Sequence, residues 1–119
     1  MDRDELQVRT KQFALRVFKL ADHLPKNAAG RTVANQVVRS ASSVGANYRA
    51  ACRARSKADF ISKITVVLEE ADESCYWLEV IIDGKLLDSD RVKPLLQEAN
   101  EITAIIAASR ATALKNHQS

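Results

Sequence analysis

The sequence has little of what secreted, membrane and turn-rich proteins require. Its two cysteines, Cys52 and Cys75, are too few for a disulfide framework and match no CxxC metal or redox spacing, so both are expected to be reduced and buried. Three glycines and two prolines argue against a fold with many tight turns. No apolar leader or run of about 18 uncharged apolar residues occurs. These absences predict a helical cytoplasmic protein with no membrane partner.

Residue patterns typical of catalytic and metal sites are also missing. His23 and His117 lie far apart in the sequence, and neither is expected to act as a general base on a rigid scaffold. The dispersed glycines form no phosphate-binding loop. A carboxylate-bridged metal bundle needs Glu-x-x-His on two helices, and the chain has none. We therefore expect no enzyme activity, no cofactor and no metal.

The 119 residues predict one domain, 1–119, with four helical segments at roughly 3–24, 32–54, 57–83 and 89–114. In each segment apolar or small residues recur at steps of three and four, as in Leu6, Thr10, Phe13 and Val17. These predicted core stripes run from 6 to 24, 34 to 51, 60 to 81 and 92 to 113. Thr32 and Ser56 are the predicted N-caps of the second and third helices, and Gly84 is expected to end the third in a left-handed conformation. Pro94 leaves the start of the fourth helix open.

Helices of similar length joined by short connections favour antiparallel neighbours. The simplest arrangement is an all-α, antiparallel, up-down-up-down four-helix bundle. The residues after the fourth segment, LKNHQS, are expected to be disordered.

The first and third helices carry more apolar residues than a single core stripe requires. These additional residues either belong to a broad face packed within the bundle or are buried between subunits. Small residues on the second helix would allow close helix approach, and adjacent aromatic rings on the third would border solvent. The candidate interface residues are Ser40, Ser43, Asn47, Tyr76 and Trp77. The polar stripe of Ser40, Ser43 and Asn47 is expected to form hydrogen bonds within or between bundles rather than to bind a ligand.

Charge is distributed unevenly along the central helices. Seven bases face one acid from 31 to 63, a balance of +6, and one base faces eight acids from 69 to 90, a balance of −7. An antiparallel hairpin that turns near Ser56 places Arg39 opposite Asp72 and Glu73, which predicts a structural ion pair. The bases nearest the turn stay unpaired and are the nucleic-acid-binding candidates: Arg49, Arg53, Arg55, Lys57 and Lys63.

Polar positions in this region carry a family resemblance. The spacing R-S-x-x-S-x-x-x-N from Arg39 to Asn47, then R-x-x-S-x-x-D-F-I from Arg53 and E-E-A-D-E-S-x-x-W-L-E from Glu69, resembles the bundle proteins encoded in intervening sequences of 23S ribosomal RNA genes. The resemblance implies a cyclic homopentamer. It also implies kinship with the accessory variability protein of diversity-generating retroelements, which binds nucleic acid and a reverse transcriptase. The family's usual N-I-A-E-G reads N-Y-R-A-A here, so no role of that Glu is carried over.

Two functions follow as hypotheses. In the first, the oligomer binds RNA or DNA through its basic end without sequence preference. In the alternative, the protein is an interaction scaffold that binds a protein partner and has no nucleic-acid role.

Overall fold

The computed structural model describes residues 1–118 and contains four helices: α1 (Arg3–Ala21), α2 (Ala28–Cys52), α3 (Lys57–Asp83) and α4 (Ser89–Gln118). The described chain forms a rod about 50 Å long and about 20 Å across. The connections between helices span four to six residues, which is too short to cross the length of the rod. Each helix therefore returns alongside the one before it.

Side-chain contacts confirm the antiparallel bundle. The Ser74 hydroxyl of α3 donates to Ser40 of α2 at 3.0 Å, on either side of the turn at 53–56. Between α3 and α4, Cys75 Sγ lies 3.5 Å from Thr103 Oγ1, while Arg110 Nε donates to Thr65 Oγ1 at 2.8 Å. In these contacts the residue number decreases along α4 as it increases along α3, so the two helices are antiparallel. α1 packs against α2 and α4, which closes the four-helix bundle.

The predicted stripes form most of the core. On α1 every stripe position is buried, including Phe13 and Val17, and α3 and α4 contribute residues that are wholly inaccessible to solvent, among them Ile64, Leu78 and Ile106. The stripes become half-buried toward their ends, at Ala34, Phe60, Ser109 and Ala113. Cys75 is buried, whereas Cys52 is only half-buried, so the prediction of two buried thiols is wrong for Cys52.

α2 begins four residues before its predicted start. The Asn27 side chain accepts a hydrogen bond from the Gly30 amide at 2.9 Å, so Asn27 is the N-cap and the prediction of Thr32 is wrong. Gly30 lies inside the first turn of the helix. A Cβ at Gly30 would lie 1.9 Å from the Pro25 carbonyl oxygen, so the missing side chain lets the connection pack on the helix.

The other helix ends also differ from expectation. α1 stops at Ala21, and Leu24 is buried in the connection that follows. Gly84 caps α3 with a φ of −80°, and the left-handed residue is Lys85, with a φ of 54°, so that prediction for Gly84 is wrong. α4 begins at Ser89, includes Pro94 and continues to Gln118. The expected disorder of the tail is therefore wrong for 114–118, and Ser119 lies outside the described residues.

An ion pair that the sequence did not indicate joins the first helix to the last. Arg9 donates to both carboxylate oxygens of Glu98, at 2.8 and 2.6 Å, and its guanidinium also lies 3.3 Å from Glu101. The side chains of Arg9 and Glu98 are about one-fifth exposed. The hydrogen bonds from Arg9 lower the pKa of Glu98 below its ordinary value of 4.5. Two-point contacts of this kind are more stabilising than single surface pairs.

Replacing Arg9 by Met is expected to lower the free energy of unfolding by about 1 to 2 kcal/mol at neutral pH. Because Glu98 has a lower pKa in the folded chain, its contribution is complete above the unfolded value near 4.5 and is lost as the pH falls through the folded value. The difference between wild type and variant should therefore shrink in acid. Urea unfolding across this pH range measures it, and a difference independent of pH would show that the pair does not stabilise the bundle.

Candidate nucleic-acid interface

The α2–α3 turn carries the densest group of bases in the chain. α2 ends at Cys52, and Arg53 caps it with its amide bonded to the carbonyls of Ala50 and Ala51. Ser56 then caps α3 by accepting from the Asp59 amide at 3.0 Å. Two helix ends four residues apart hold the bases between them on an ordered turn, because both ends are capped. We call 49–63 the basic turn.

Four bases of the basic turn extend into solvent: Arg49, Arg53, Arg55 and Lys57. None of the four forms an ion pair with another of the described residues. The fifth candidate behaves differently. Lys63 is half-buried and contacts Asp59 at 2.5 Å, one helical turn away.

Asp59 is the one acid within the basic turn, and it is largely neutralised there. It accepts from Lys63 and from the Arg55 amide, and these two hydrogen bonds lower the pKa of its carboxyl. The basic turn holds five bases and one acid, a balance of +4. Asp59 and Lys63 cancel each other, so the four exposed bases account for this charge.

The sequence did not indicate a contact between Phe60, which lies within the basic turn, and Arg3, which lies beside it. The Arg3 guanidinium lies over the ring of Phe60, 5.3 Å from its centroid, which is a cation–π contact. A groove of about 540 Å³ runs past them, lined by Lys57, Cys52 and residues of the last turns of α4. In the sequence, Phe60 is a predicted core residue and Arg3 belongs to no motif, so no local pattern indicates that the two are in contact. Three acids at the start of α1, Asp2, Asp4 and Glu5, share this end of the bundle.

The predicted ion pair of Arg39 is confirmed for Glu73, and its second partner is Glu70 instead of Asp72. Arg39 donates to Glu70 at 2.9 Å and also contacts Glu73, while Asp72 is exposed and is not a partner. The prediction of Asp72 is therefore wrong. Asp72 is two positions after Glu70 and one before Glu73, so it points away from α2, whereas Glu70 and Glu73 share the α2-facing side of α3.

The candidate interface residues divide into interior and exterior groups. Ser40 is completely buried against Ser74, so it cannot serve as a subunit contact, and that prediction is wrong. Ser43 and Asn47 are half-buried and bonded to each other, with Asn47 Nδ2 2.7 Å from Ser43 Oγ. Tyr76 is 56% exposed. The half-buried Trp77 meets its ring edge-on at 5.0 Å and donates to Glu73 at 3.0 Å.

Tyr48 belongs to the core stripe of α2 and directly precedes the basic turn. Its ring is buried, and burial, together with the neighbouring Cys52, raises the pKa of its hydroxyl to about 12. It is therefore a neutral core side chain and offers no surface for a base to stack on.

A protein of known structure shares this fold. The model of the 23S rRNA-intervening sequence protein family matches residues 4–108, which is most of the chain. The chain belongs to this family. A crystal structure of a protein of unknown function from the S23 ribosomal protein family of Bacteroides thetaiotaomicron is similar over nearly the whole length. The two are 30% identical, the alignment covers 93% of this chain and 99% of that one, and the TM-score is 0.84.

Membership in the 23S rRNA-intervening sequence protein family confirms the resemblance carried by the Arg39 to Glu79 motifs. A search of curated proteins finds no match. Kinship with the accessory variability protein of diversity-generating retroelements stays a prediction.

No helix within 1–118 combines the length and the apolar character needed to span a bilayer. Among the same residues, no three His, Cys, Asp or Glu side chains come together as a metal ion would require.

Proposed function

We propose that this member of the 23S rRNA-intervening sequence protein family is a non-catalytic cytoplasmic homo-oligomer that binds RNA or DNA through the basic turn, without sequence preference. The observation that supports the proposal best is the set of four exposed bases within nine residues that have no ion-pair partner among the described side chains. Bases without acidic partners attract phosphates, and binding releases the counterions that phosphates hold. A homopentamer is the expected assembly, on the family resemblance.

Assembly matters to this proposal because a single basic turn is a modest site. The acids at the start of α1 share the same end and weaken the field of one copy. In a cyclic oligomer whose axis follows the helices, all copies point the basic turn in one direction. Several weak phosphate contacts then act together on one strand, and their combined affinity exceeds that of a single turn.

The lack of sequence preference follows from the side chains present. Sequence-tolerant binding of single strands usually combines charge with aromatic rings on which bases stack. Phe60 is the one aromatic residue within the basic turn, and Arg3 already covers its ring. The proposed binding therefore depends on phosphate contacts, which do not distinguish one base from another.

Reversing the charge of Arg49, Arg53 and Lys57 to Glu should abolish binding of a fluorescent single-stranded RNA or duplex DNA. If the wild-type protein makes three phosphate contacts, its affinity should fall roughly 20- to 40-fold when the salt concentration rises from about 50 to about 200 mM. Fluorescence anisotropy at both concentrations measures this. Wild-type binding that is absent at micromolar protein, or that is unaffected by salt, would refute the proposal.

A matched control separates position from total charge. Lys26, Arg31 and Lys93 are exposed at the opposite end of the bundle and form no ion pair with the described residues. Their reversal to Glu changes the net charge from +3 to −3, as the first triple substitution does. The control protein should keep most of its affinity. Equal losses in both proteins would show that net charge, and not the basic turn, governs binding.

A protein-interaction scaffold is the second candidate, and the exposed ring of Tyr76 is the observation that favours it. The same two triple substitutions discriminate the candidates. A scaffold would retain its protein partner when Arg49, Arg53 and Lys57 are reversed, because those residues lie at the end of the rod and Tyr76 lies along its side.

A further inference from the structure

Exposed apolar side chains occur on two separate faces of the bundle. On α1, Val8, Leu15 and Phe18 are 61%, 45% and 39% exposed. On α3, Val66 and Tyr76 are 39% and 56% exposed. Apart from Met1, these five are the large apolar residues that the bundle leaves in solvent within 1–118. Val8, Leu15 and Phe18 line one groove, and contiguous exposed apolar surface of this kind marks contact sites.

The α1 residues line a groove and the α3 residues form a ridge. The groove lies between α1 and α2, encloses about 440 Å³, and has a floor of small residues that includes Ala14, Gly45 and Ala46. On α3, the exposed positions 66, 69, 72 and 76 follow helical steps and form one outward stripe. We call these surfaces the α1–α2 groove and the α3 ridge.

The two surfaces match in length and in charge. Phe18 follows Val8, and Tyr76 follows Val66, by ten positions, or about 15 Å of helix. The rim of the groove is basic at Lys11, whereas the ridge between its apolar ends is acidic, with Glu69 and Asp72. Aligned in parallel, Val8 meets Val66, Phe18 meets Tyr76, and Lys11 meets Glu69.

Parallel alignment is also what a cyclic arrangement provides. In an up-down-up-down bundle α1 and α3 run in the same direction, and copies related by an axis along the helices keep that direction. α1 and α3 each pack against α2 and α4, so they lie diagonally across the bundle. One chain therefore offers the groove and the ridge to different neighbours.

We infer that the α1–α2 groove of one copy receives the α3 ridge of the next. The contact is heterologous, joining two unlike surfaces, and such contacts repeat around a ring when the rotation closes. The inference rests on the proposed homo-oligomer and specifies its interface. Lys11 and Glu69 fix the register, while the apolar residues at the two ends of each surface supply most of the contact.

Two variants that each lose one surface test the inference. Leu15→Glu places an acid in the groove against the acidic ridge, and Tyr76→Lys replaces the ring that meets Phe18 by a charged side chain. Each is expected to weaken self-association by at least about 10-fold, the effect of losing one central contact residue. Light scattering should give monomers for both variants at a concentration at which wild type is assembled.

Mixing the two variants distinguishes unlike from like surfaces. The Leu15→Glu protein keeps its ridge and the Tyr76→Lys protein keeps its groove, so an equimolar mixture should form 1:1 dimers of twice 13.2 kDa that do not grow. If groove pairs with groove instead, Tyr76→Lys alone stays assembled and the mixture gives no such dimer, which would overturn the inference. Circular dichroism should show wild-type helicity in both variants, because both residues are exposed.

A charge exchange gives an independent measurement that does not remove apolar contact. Lys11→Glu and Glu69→Lys should each weaken assembly, and the double variant in one chain should restore it. Failure of the double variant to recover would contradict the proposed register. A wild-type protein that is monomeric would refute the oligomer itself, whereas assembled wild type with assembled variants would refute only this interface.

Discussion

Replacing Phe13 by Ala is expected to lower the free energy of unfolding by about 3 to 5 kcal/mol. The Phe13 ring is 1% exposed and belongs to the core formed by all four helices. Removing the ring loses the free energy gained when the ring moves from water into the core. It also leaves a cavity that long, rigid helices cannot fill. A domain of this size is stable by about 5 to 15 kcal/mol, so the variant should unfold at much lower urea concentration.

Phe13→Leu is the graded comparison, because it keeps an apolar side chain of similar volume and should lose less than about 1.5 kcal/mol. All proteins should be compared at one concentration, since association of folded chains adds apparent stability. A loss below about 1 kcal/mol for the Ala variant would mean that Phe13 does not pack as described.

Replacing Gly30 by Ala should lower the free energy of unfolding by about 2 to 4 kcal/mol, although Ala is the better helix former. The added Cβ would lie 1.9 Å from the Pro25 carbonyl oxygen and 2.8 Å from its carbon. Both are backbone atoms, so they cannot rotate away as a side chain would. The first turn of α2 must move from the connection, which also disturbs the hydrogen bond that Asn27 accepts.

Gly45→Ala is the matched control within the same helix. There the nearest atom to an added Cβ is Thr10 Oγ1 at 3.4 Å, which is close to ordinary contact. Stability should stay unchanged or increase by up to about 1 kcal/mol, since Ala is favoured over Gly in helix interiors. Thermal unfolding of both variants beside wild type measures the difference. A Gly30 variant as stable as the Gly45 variant would contradict the close packing at Pro25.

The helices and their core faces were predictable because local spacing determines which side of a helix is apolar. Positions such as Phe13, Val17 and Leu78 repeat at steps of three and four, and burial of one face follows from any packing of amphipathic helices. The helix ends were less predictable. Asn27 and Thr32 both suit an N-cap, and the choice between them depended on the fit of Gly30 against Pro25, which no local pattern records.

The candidate site divides in the same way. The basic turn was visible in the sequence because its bases are neighbours along the chain. Arg3 and Phe60, by contrast, meet only because α1 and α3 begin at the same end of the bundle. The partners of Arg39 depended on the rotation of α3, which directs Glu70 and Glu73 toward α2 and turns Asp72 to solvent.

The sequence by itself determined that this protein is a bundle of four helices, to which family it belongs, and that its charge concentrates at one turn. Periodicity and the order of polar residues are properties of the sequence, so they can be recognised without the tertiary structure. Only the tertiary structure decided which bases remain unpaired, that Ser40 is interior, and that Val8, Leu15, Phe18, Val66 and Tyr76 stay exposed. Those outcomes depend on helix rotation and register, which are set by close packing among residues distant in sequence.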